Sequence, residues 1–451
     1  MIKYETDSRL VTKGKTFVAI KGYTVDGHDY INQAIENGAT FIISEKDLDI
    51  TVPYLKVKDT EKYIEQKLEE EYSSNFKDLK IIGVTGTNGK TTTCYLIYQM
   101  LKELNKKAAY IGTIGFYLND EIRELPNTTP DILSLYKLIM EAKEKEVEYI
   151  IMEVSSHALS LSRIAGINFD VAAFTNLSQD HLDFHKDMID YLNAKKLIIN
   201  HLKQKGTLIV NLDEETSKEF IFKNKLTIGK NGDYKITNYN YNPDSTDLEF
   251  TFKNNTYKVK TNLINEFNIY NYLMSLAILN NLDIPIENII KITNKVYPPR
   301  GRCETIKVND SYAVIDYAHT PDAVEKIIKA YKELNVGKVI TVLGCGGDRD
   351  PKKRPIMGDI ATSLSDKVIF TSDNPRTEDP KKILEDITKN NKSTNYEVIV
   401  DREKAIIKGI SLLNKNDFLL ILGKGHEDYQ IIGTEKIHFD DAEIVKENIP
   451  C

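Results

Sequence analysis

An α/β architecture divided over three domains is the fold this sequence predicts, and three observations carry it. Short continuous apolar runs alternate with helical stretches along most of the chain. One such run passes through TGTNGK straight into a helical pattern, and a fresh set of strand–helix units begins after Tyr297–Gly301 (YPPRG). Continuous apolar strands alternating with helices indicate a mostly parallel sheet covered on both faces. The length of 451 residues, at about 150 per domain, also suggests three domains.

Residues 1–78 read as a small α/β unit. It has apolar runs at Thr16–Ile20 and Thr40–Ser44, a charged helical stretch at Glu61–Tyr72 and a polar connector. Residues 79–299 open with the strand Lys80–Val84, the glycine-rich turn and a helix over Thr91–Leu104. Further buried-strand candidates lie at Tyr149–Val154, Val171–Asn176 and Thr207–Asn211. Between Asp233 and Thr261 the pattern changes to alternation about Asn254-Asn255, the mark of a β-hairpin insertion. Residues 300–451 restart the strand–helix pattern at Tyr312–Tyr317, Lys338–Gly344, Lys367–Ser372, Glu397–Asp401 and Phe418–Gly423, which predicts a separate Rossmann-like domain.

Bulk composition excludes several classes. Hydrophobic residues make up 41% and charged residues 28%, ordinary for a globular protein and against long disorder. A formal net charge of −7 implies no general attraction to nucleic acid or acidic membranes. The start MIKYETDSRL has no apolar core of a secretory signal, and no apolar stretch reaches the roughly 18 residues that span a bilayer. Cys94, Cys303, Cys345 and Cys451 are far apart and form no CxxC pair, as expected of reduced cytosolic thiols. A cytoplasmic protein, without nucleic-acid or membrane partners, is expected.

The turn after Lys80–Val84 carries the first chemistry. Gly86, Thr87, Asn88 and Gly89 lead into Lys90, Thr91 and Thr92. Glycines let the backbone amides point at phosphate oxygens, and the helix amino end adds a favourable dipole. Lys90 suits the outer phosphates, and Thr91 or Thr92 can place a hydroxyl on Mg²⁺. The spacing is not a strict GxxxxGK[ST]: Val84 holds the place of the first glycine, which falls one residue early at Gly83. Binding of ATP or GTP follows.

Glu153 ends the strand Tyr149–Val154, beside the phosphate loop if strand order is regular. The run Thr175–Asp183 follows another strand end. Ligands of α/β proteins gather at such ends, and hard oxygen donors near a phosphate loop suit Mg²⁺. A single Glu or His there reads as a cap or core residue; it is the clustering that points to a site.

Taken in order, these pieces resemble the Mur ligase family over nearly the whole chain. They are DSR (Asp7–Arg9), TGTNGKTT (Thr85–Thr92), NTTPD (Asn127–Asp131), EVSSHAL (Glu153–Leu159), FTNLSQDHLDFH (Phe174–His185) and YLNAKK (Tyr191–Lys196). FNIYN (Phe267–Asn271), GRCE (Gly301–Glu304), DYAHTPD (Asp316–Asp322), GCGGDRD (Gly344–Asp350), DNPR (Asp373–Arg376) and GKGHEDYQ (Gly423–Gln430) follow. The resemblance is strongest to the members that add the third stem-peptide residue to a UDP-linked peptidoglycan precursor. It implies an N-terminal UDP-binding domain, a central P-loop ATPase-like domain and a C-terminal Rossmann-like domain that receives the amino acid.

The same resemblance implies residue roles. Ser8, with Asp7, Arg9 and Tyr23–Val25, would hold the uridine diphosphate. Asn127, Thr128, Thr129, Ser155 and Arg163 would line the muramoyl-peptide path. Lys195 matches the lysine carbamylated in this family, assigned over Lys196 by alignment of AK. As a carbamate, with Thr91, Glu153 and His181, it would position Mg²⁺. Asn268, Asn271, Arg302, Asp316 and His319 match adenosine and phosphate contacts. Arg349, Asp373, Asn374, Pro375, Arg376, Gly423 and Glu427 match the amino-acid site. A DNPR loop resembles the form that selects meso-diaminopimelate, whose far end carries a carboxylate and an ammonium. Arg376 would grip the carboxylate through a bidentate fork, with Asp373 and Glu427 meeting the ammonium. Alone, DNPR reads equally as a strand-end turn. Meso-lanthionine carries the same far end.

The implied reaction is attack of the acceptor's carboxylate on the ATP γ-phosphate, giving an acyl phosphate that the diamino acid's amine then displaces. Catalysis would rest on Lys90, Glu153, His181 and Lys195, in a monomer. Three features depart from the family pattern. The chain begins close to DSR, Asn265-Glu266 stands where glycine is common, and Gln179 replaces a frequent arginine. Rival readings are a lysine-adding Mur ligase, a folylpolyglutamate-synthetase-type ligase, and a nucleotide-binding protein without catalysis. The first two would lack DSR, NTTPD and DNPR together.

Overall fold

The computed structural model describes residues 2–22, 25–119, 121–242, 244–389 and 391–450. The chain divides into two compact units: Met1–Thr227 with Ala277–Asp283, and Ile228–Leu276 with Ile284–Cys451. Tyr23 and Cys451 lie outside the described residues.

The first unit holds two sheets. A small parallel sheet has the order Tyr4–Glu5, Thr16–Val18, Phe41–Ser44, Tyr54–Lys56. Beside it, helix Thr60–Tyr72 starts at Asp59, whose side chain accepts from Lys62 N, the bond that satisfies an orphan amide of a first turn. Its buried Ile64 and Leu68, four residues apart on one face, join a core that also takes in Ile2, Val18, Ile81 and Phe116.

The main sheet of this unit runs Leu202–Asn211, Phe169–Phe174, Lys80–Thr85, Tyr149–Glu153, Ala108–Gly112, Gly115–Leu118, Glu121–Arg123. Its middle is parallel. Tyr149–Glu153 is buried at every residue, which is why it reads as an unbroken apolar run. The register sets Val84 opposite Glu153 and Thr85 opposite Phe174. The phosphate loop, Glu153 and the Thr175 run therefore leave the sheet at one edge. The sheet is mostly parallel, as expected, and its last strands are the exception: Ala108–Gly112 and Gly115–Leu118 form a tight antiparallel pair.

In the second unit, Tyr234–Asn242, Ser245–Phe252 and Asn255–Thr261 form an antiparallel meander, turning at Lys253-Asn254 with φ of 47° and 66°. The predicted hairpin about Asn254-Asn255 is its second turn. A six-stranded sheet follows, ordered Glu304–Val308, Ser311–Asp316, Phe418–Leu422, Val339–Cys345, Lys367–Ser372, Tyr396–Val398. All its pairs are parallel except the first, an edge strand absent from the sequence reading. Helices Pro321–Glu333 and Pro380–Thr388 begin with proline after Thr320 and Asp379, whose side chains cap them. Proline at that position has no amide to leave unpaired.

Candidate active site

The phosphate loop is bound to the neighbouring strand end rather than left free. Gly89 takes φ 84° as cap of helix Lys90–Glu103, and Gly86 takes φ 148°, where an added Cβ would overlap Thr175 Oγ1. Thr87 N donates to Asn176 O at 2.9 Å, Asn88 N to Asn176 Oδ1 at 3.0 Å, and Thr175 Oγ1 to Asn88 O at 2.7 Å. Lys90 Nζ folds back to Gly86 O and Thr87 O, both at 2.8 Å. Thr91 and Thr92 are buried in the first turn of the helix.

Glu153 is wholly buried at the centre of a ring of donors. Oε2 accepts from Thr91 Oγ1 at 2.9 Å and Thr113 Oγ1 at 3.1 Å. Oε1 accepts from Tyr110 at 2.5 Å and Thr113 N at 2.8 Å. Lys195 Nζ, also buried, donates to Gly86 O at 2.8 Å and lies over the Tyr191 ring. Its neighbour Lys196 instead faces Glu219 at 3.7 Å. Burial, with Lys90 close by, pushes the Lys195 ammonium far below the usual lysine range. His181, at φ 54°, packs edge-on against His157 and Tyr191, and Tyr191 Oη is 3.1 Å from Thr87 Oγ1. Thr91 thus stands in the first turn after the phosphate loop, Lys195 bonds to its Gly86, and His181 is linked to it through Tyr191. Among the described residues no three His, Cys, Asp or Glu side chains converge as a metal cage. A few oxygen donors beside a phosphate loop fit Mg²⁺, which keeps waters and takes phosphate oxygens.

The acceptor candidates fall into two groups of the same unit. Ser8, Arg9, Val25, Asp131 and Arg163 line one cleft of about 1080 Å³. Ser8 Oγ is fixed to Gln33 Oε1 at 2.6 Å and Arg9 forks onto Asp7 at 2.9 and 2.7 Å. Tyr23, assigned with them, lies outside the described residues. Thr129 then links this cleft to the backbone of Glu153: its hydroxyl donates to Glu153 O at 2.8 Å, Ser155 N donates to it at 3.0 Å, and Arg163 donates to Thr129 O at 3.1 Å. Thr128 Oγ1 meets Thr113 Oγ1 at 3.0 Å, while Asn127 is exposed in the same loop.

The second unit carries the adenosine candidates on the helix start and the first strand end. Asn265 occupies the left-handed region at φ 83°, doing what a glycine does there, so the departure at Asn265-Glu266 costs no turn. Asn268 donates to Ile264 O, and Asn271 to Asn268 Oδ1 at 3.1 Å. Asp316 accepts from Cys303 N at 2.8 Å and Ala318 N at 2.9 Å, and burial raises its carboxyl pKa. The Arg302 guanidinium lies 4.6 Å over the Tyr317 ring, and His319 Nδ1 is 2.9 Å from Tyr317 O.

Three more strand ends of that sheet supply the amino-acid candidates. Asp373, Asn374, Pro375 and Arg376 follow Lys367–Ser372, Gly423 and Glu427 follow Phe418–Leu422, and Arg349 follows Val339–Cys345. Asn374 joins the first two, donating to Glu427 Oε2 at 2.7 Å and accepting from Ile431 N at 2.9 Å. Arg376 sits at φ 51° with one guanidinium nitrogen on Gly347 O at 2.7 Å. A Cβ at Gly347 would overlap Pro375 O, and one at Gly423 would come within 2.6 Å of Asp373 Oδ2. Arg349, exposed, donates to Asp348 O. Burial, then Asp373, raises the Glu427 carboxyl pKa.

Family comparisons agree in order with these clusters. Models described as "Mur ligase family, catalytic domain", "Mur ligase middle domain" and "Mur ligase, glutamate ligase domain" match residues 4–76, 84–279 and 301–425. The UDP-N-acetylmuramoyl-L-alanyl-D-glutamate--2,6-diaminopimelate ligase of Fusobacterium nucleatum subsp. nucleatum is 43% identical over 99% of this chain and 93% of its own length. The chain belongs to the Mur ligase family. The Bacillus velezensis ligase of the same name is 41% identical over 98% of this chain and 92% of its own. A solved structure titled as that ligase superposes with TM-score 0.73 at 30% identity, covering 99% of this chain and 94% of the other.

Several residues of this Mur ligase escaped the sequence reading. Tyr110 and Thr113 complete the ring about Glu153, but they sit on an edge hairpin with no motif of its own. Lys424 and Gln430 lie inside GKGHEDYQ and had a signal in that placement. Gln430 Nε2 donates to Asp373 O at 2.5 Å.

Proposed function

We propose that this Mur ligase joins an amine of meso-diaminopimelate to the glutamate carboxyl of UDP-N-acetylmuramoyl-L-alanyl-D-glutamate, with ATP cleaved to ADP and phosphate, in peptidoglycan precursor synthesis. The observation that carries the reading is the cluster about Asn374, where Asp373, Glu427 and Arg376 stand on adjacent loops. Two carboxylates and a guanidinium match a far end bearing both an ammonium and a carboxylate, as in the diaminopimelate named for the relatives. Meso-lanthionine has the same far end.

The acceptor lies along the cleft of Ser8 and Arg163, and its carboxylate oxygen attacks the γ-phosphorus of ATP. An acyl phosphate forms and ADP leaves. The phosphate loop orients the triphosphate through its amides, and Lys90 neutralises charge on the transferred group. The amine of the diamino acid then attacks the acyl carbon, the amide bond forms, and phosphate departs after a tetrahedral intermediate. Thr91 and Glu153, with His181 and Lys195 as carbamate, would hold Mg²⁺, which would supply charge neutralisation on the phosphates. Lys195 is suited to carbamylation because its lowered pKa favours the neutral amine, the form that combines with carbon dioxide.

Three domains, 1–78 for the UDP precursor, 79–299 for ATP and 300–451 for the amino acid, complete the reading, with a monomer acting in the cytoplasm. Among the described residues no helix is long and apolar enough to cross a membrane. The test offers meso-diaminopimelate, meso-lanthionine and lysine separately with ATP, Mg²⁺ and the UDP-dipeptide, following product mass and phosphate release. Product with diaminopimelate and none with lysine is expected. Preference for lysine would remove the role given to Arg376.

A further inference from the structure

Lys424 has no part in the mechanism above, yet it lies at the centre of the amino-acid cluster. It is wholly buried. Its ammonium donates to Tyr429 O and stands 3.5 Å from both Asn374 Oδ1 and Glu427 Oε2. Asn374 donates to the same Glu427 oxygen, and the charge of Asp373 also acts on the lysine. Burying an ammonium is costly unless a nearby charge compensates it, so a lysine kept here points to a use for its charge. Fastening the loops is not that use, because neutral bonds already do so: Gln430 to Asp373 O at 2.5 Å and Ile431 N to Asn374 Oδ1 at 2.9 Å.

The charges suggest the use. Within the buried and half-buried part of the cluster Asp373 and Glu427 bring two negative charges, Lys424 and Arg376 two positive ones; Arg349 is exposed on Asp348 O, where water screens its charge. Arg402 and Asp441, whose charges also act on Lys424, pair with each other at 2.7 Å and together are neutral. A diaminopimelate far end carries one ammonium and one carboxylate and has no net charge; the far end of lysine is a bare cation. Without Lys424 the same cluster would hold an uncancelled negative charge, the match for the bare cation. We propose that Lys424 is a specificity-determining residue, cancelling one carboxylate of the Asp373–Glu427 pair so that the cluster prefers a doubly charged far end to a lone ammonium. The inference rests on the proposed function, since it takes this cluster as the seat of the diamino acid.

The test measures kcat and KM of the full-length enzyme for meso-diaminopimelate and for lysine, with ATP, Mg²⁺ and the UDP-dipeptide at saturation. In K424M the ratio of kcat/KM for diaminopimelate over lysine falls at least about tenfold, through the KM for the amino acid. The KM values for ATP and UDP-dipeptide stay unchanged. K424R keeps the charge and restores the ratio. The K424M/E427Q protein, with both charges removed, also returns toward the wild-type ratio; should K424M alone not fold, E427Q takes its place, with a ratio above that of K424M/E427Q, and equal ratios in those two overturn the proposal. An equal loss for both amino acids in K424M, or a ratio in K424M/E427Q as low as in K424M, overturns the proposal and leaves Lys424 a loop anchor. If the wild-type enzyme uses neither amino acid, the functional reading falls and this inference with it; use of diaminopimelate with an unchanged K424M ratio defeats this inference alone.

Discussion

Tyr110 donates its phenolic proton to Glu153 Oε1 across 2.5 Å, and the space beside that bond is open only because residue 112 is glycine. A Cβ on Gly112 would overlap both the carboxylate oxygen and the Tyr110 hydroxyl. Gly112→Ala is therefore expected to displace Glu153, lowering kcat about a hundredfold or more and stability by about 1–3 kcal/mol, the usual cost of overpacking. Tyr110→Phe removes one donor of four and leaves the shape, so a smaller fall in kcat is expected. Phosphate-release kinetics and urea unfolding of both variants check this.

Lys90 reaches two carbonyls of its own loop and is not among the residues lining the cleft proposed for the precursor. Lys90→Ala should bind the UDP-dipeptide with unchanged affinity in calorimetry. Turnover should fall by about a hundred- to a thousandfold. Normal turnover would remove Lys90 from phosphoryl transfer.

Glu65 lines the same cleft as Ser8 and Arg163, and burial, then Glu61, raises its carboxyl pKa to about 7. The sign follows from the raised value. Between the ordinary carboxylate range and about 7 the folded chain holds a proton that the unfolded chain has lost, so this group's contribution to stability declines as pH rises through that window. Above it, an ionised Glu65 adds a negative charge to the cleft proposed for the UDP precursor. Affinity for the UDP-dipeptide should weaken by a few-fold from pH 6 to pH 8, and Glu65→Gln should flatten that dependence. A titration series by calorimetry decides it.

Arg402 and Asp441 form an ion pair with side-chain exposures of 0% and 1%. Arg402 also donates to Ser372 O and Leu422 O, the last residues of two strands. Arg402→Ala leaves a buried carboxylate uncompensated and should cost about 3–5 kcal/mol. Replacing both partners by apolar residues of similar volume should cost much less. Urea unfolding of the single and double variants gives the comparison.

The parallel strands and the phosphate loop were legible because their physics is local. Tyr149–Glu153 and Phe418–Leu422 are covered on both faces and so are apolar throughout, save for the terminal Glu153. The loop glycines and Lys90 follow one strand and open one helix. Glu304–Val308 was not legible: only Ile306 and Val308 of its residues are apolar, and a half-buried edge of that kind resembles a loop. Strand Leu202–Asn211 was read only from Thr207, because its first half, LKQKG, is polar. The ring about Glu153 needed the antiparallel return at Gly112–Gly115, set by tertiary pairing rather than by any turn motif. What separates Lys195 from Lys196 is not legible in their adjacent positions: one side chain points inward to Gly86 and the other outward to Glu219.

The stacking of Arg302 on Tyr317 also gives the enzyme a place for an optical probe. The sequence contains no tryptophan, so Tyr317→Trp would install the sole indole of the chain directly beneath a guanidinium assigned to the nucleotide. Its emission would be free of any background indole, and a change in quenching on adding ADP would follow occupancy of that seat in real time, without dye or coupled enzyme.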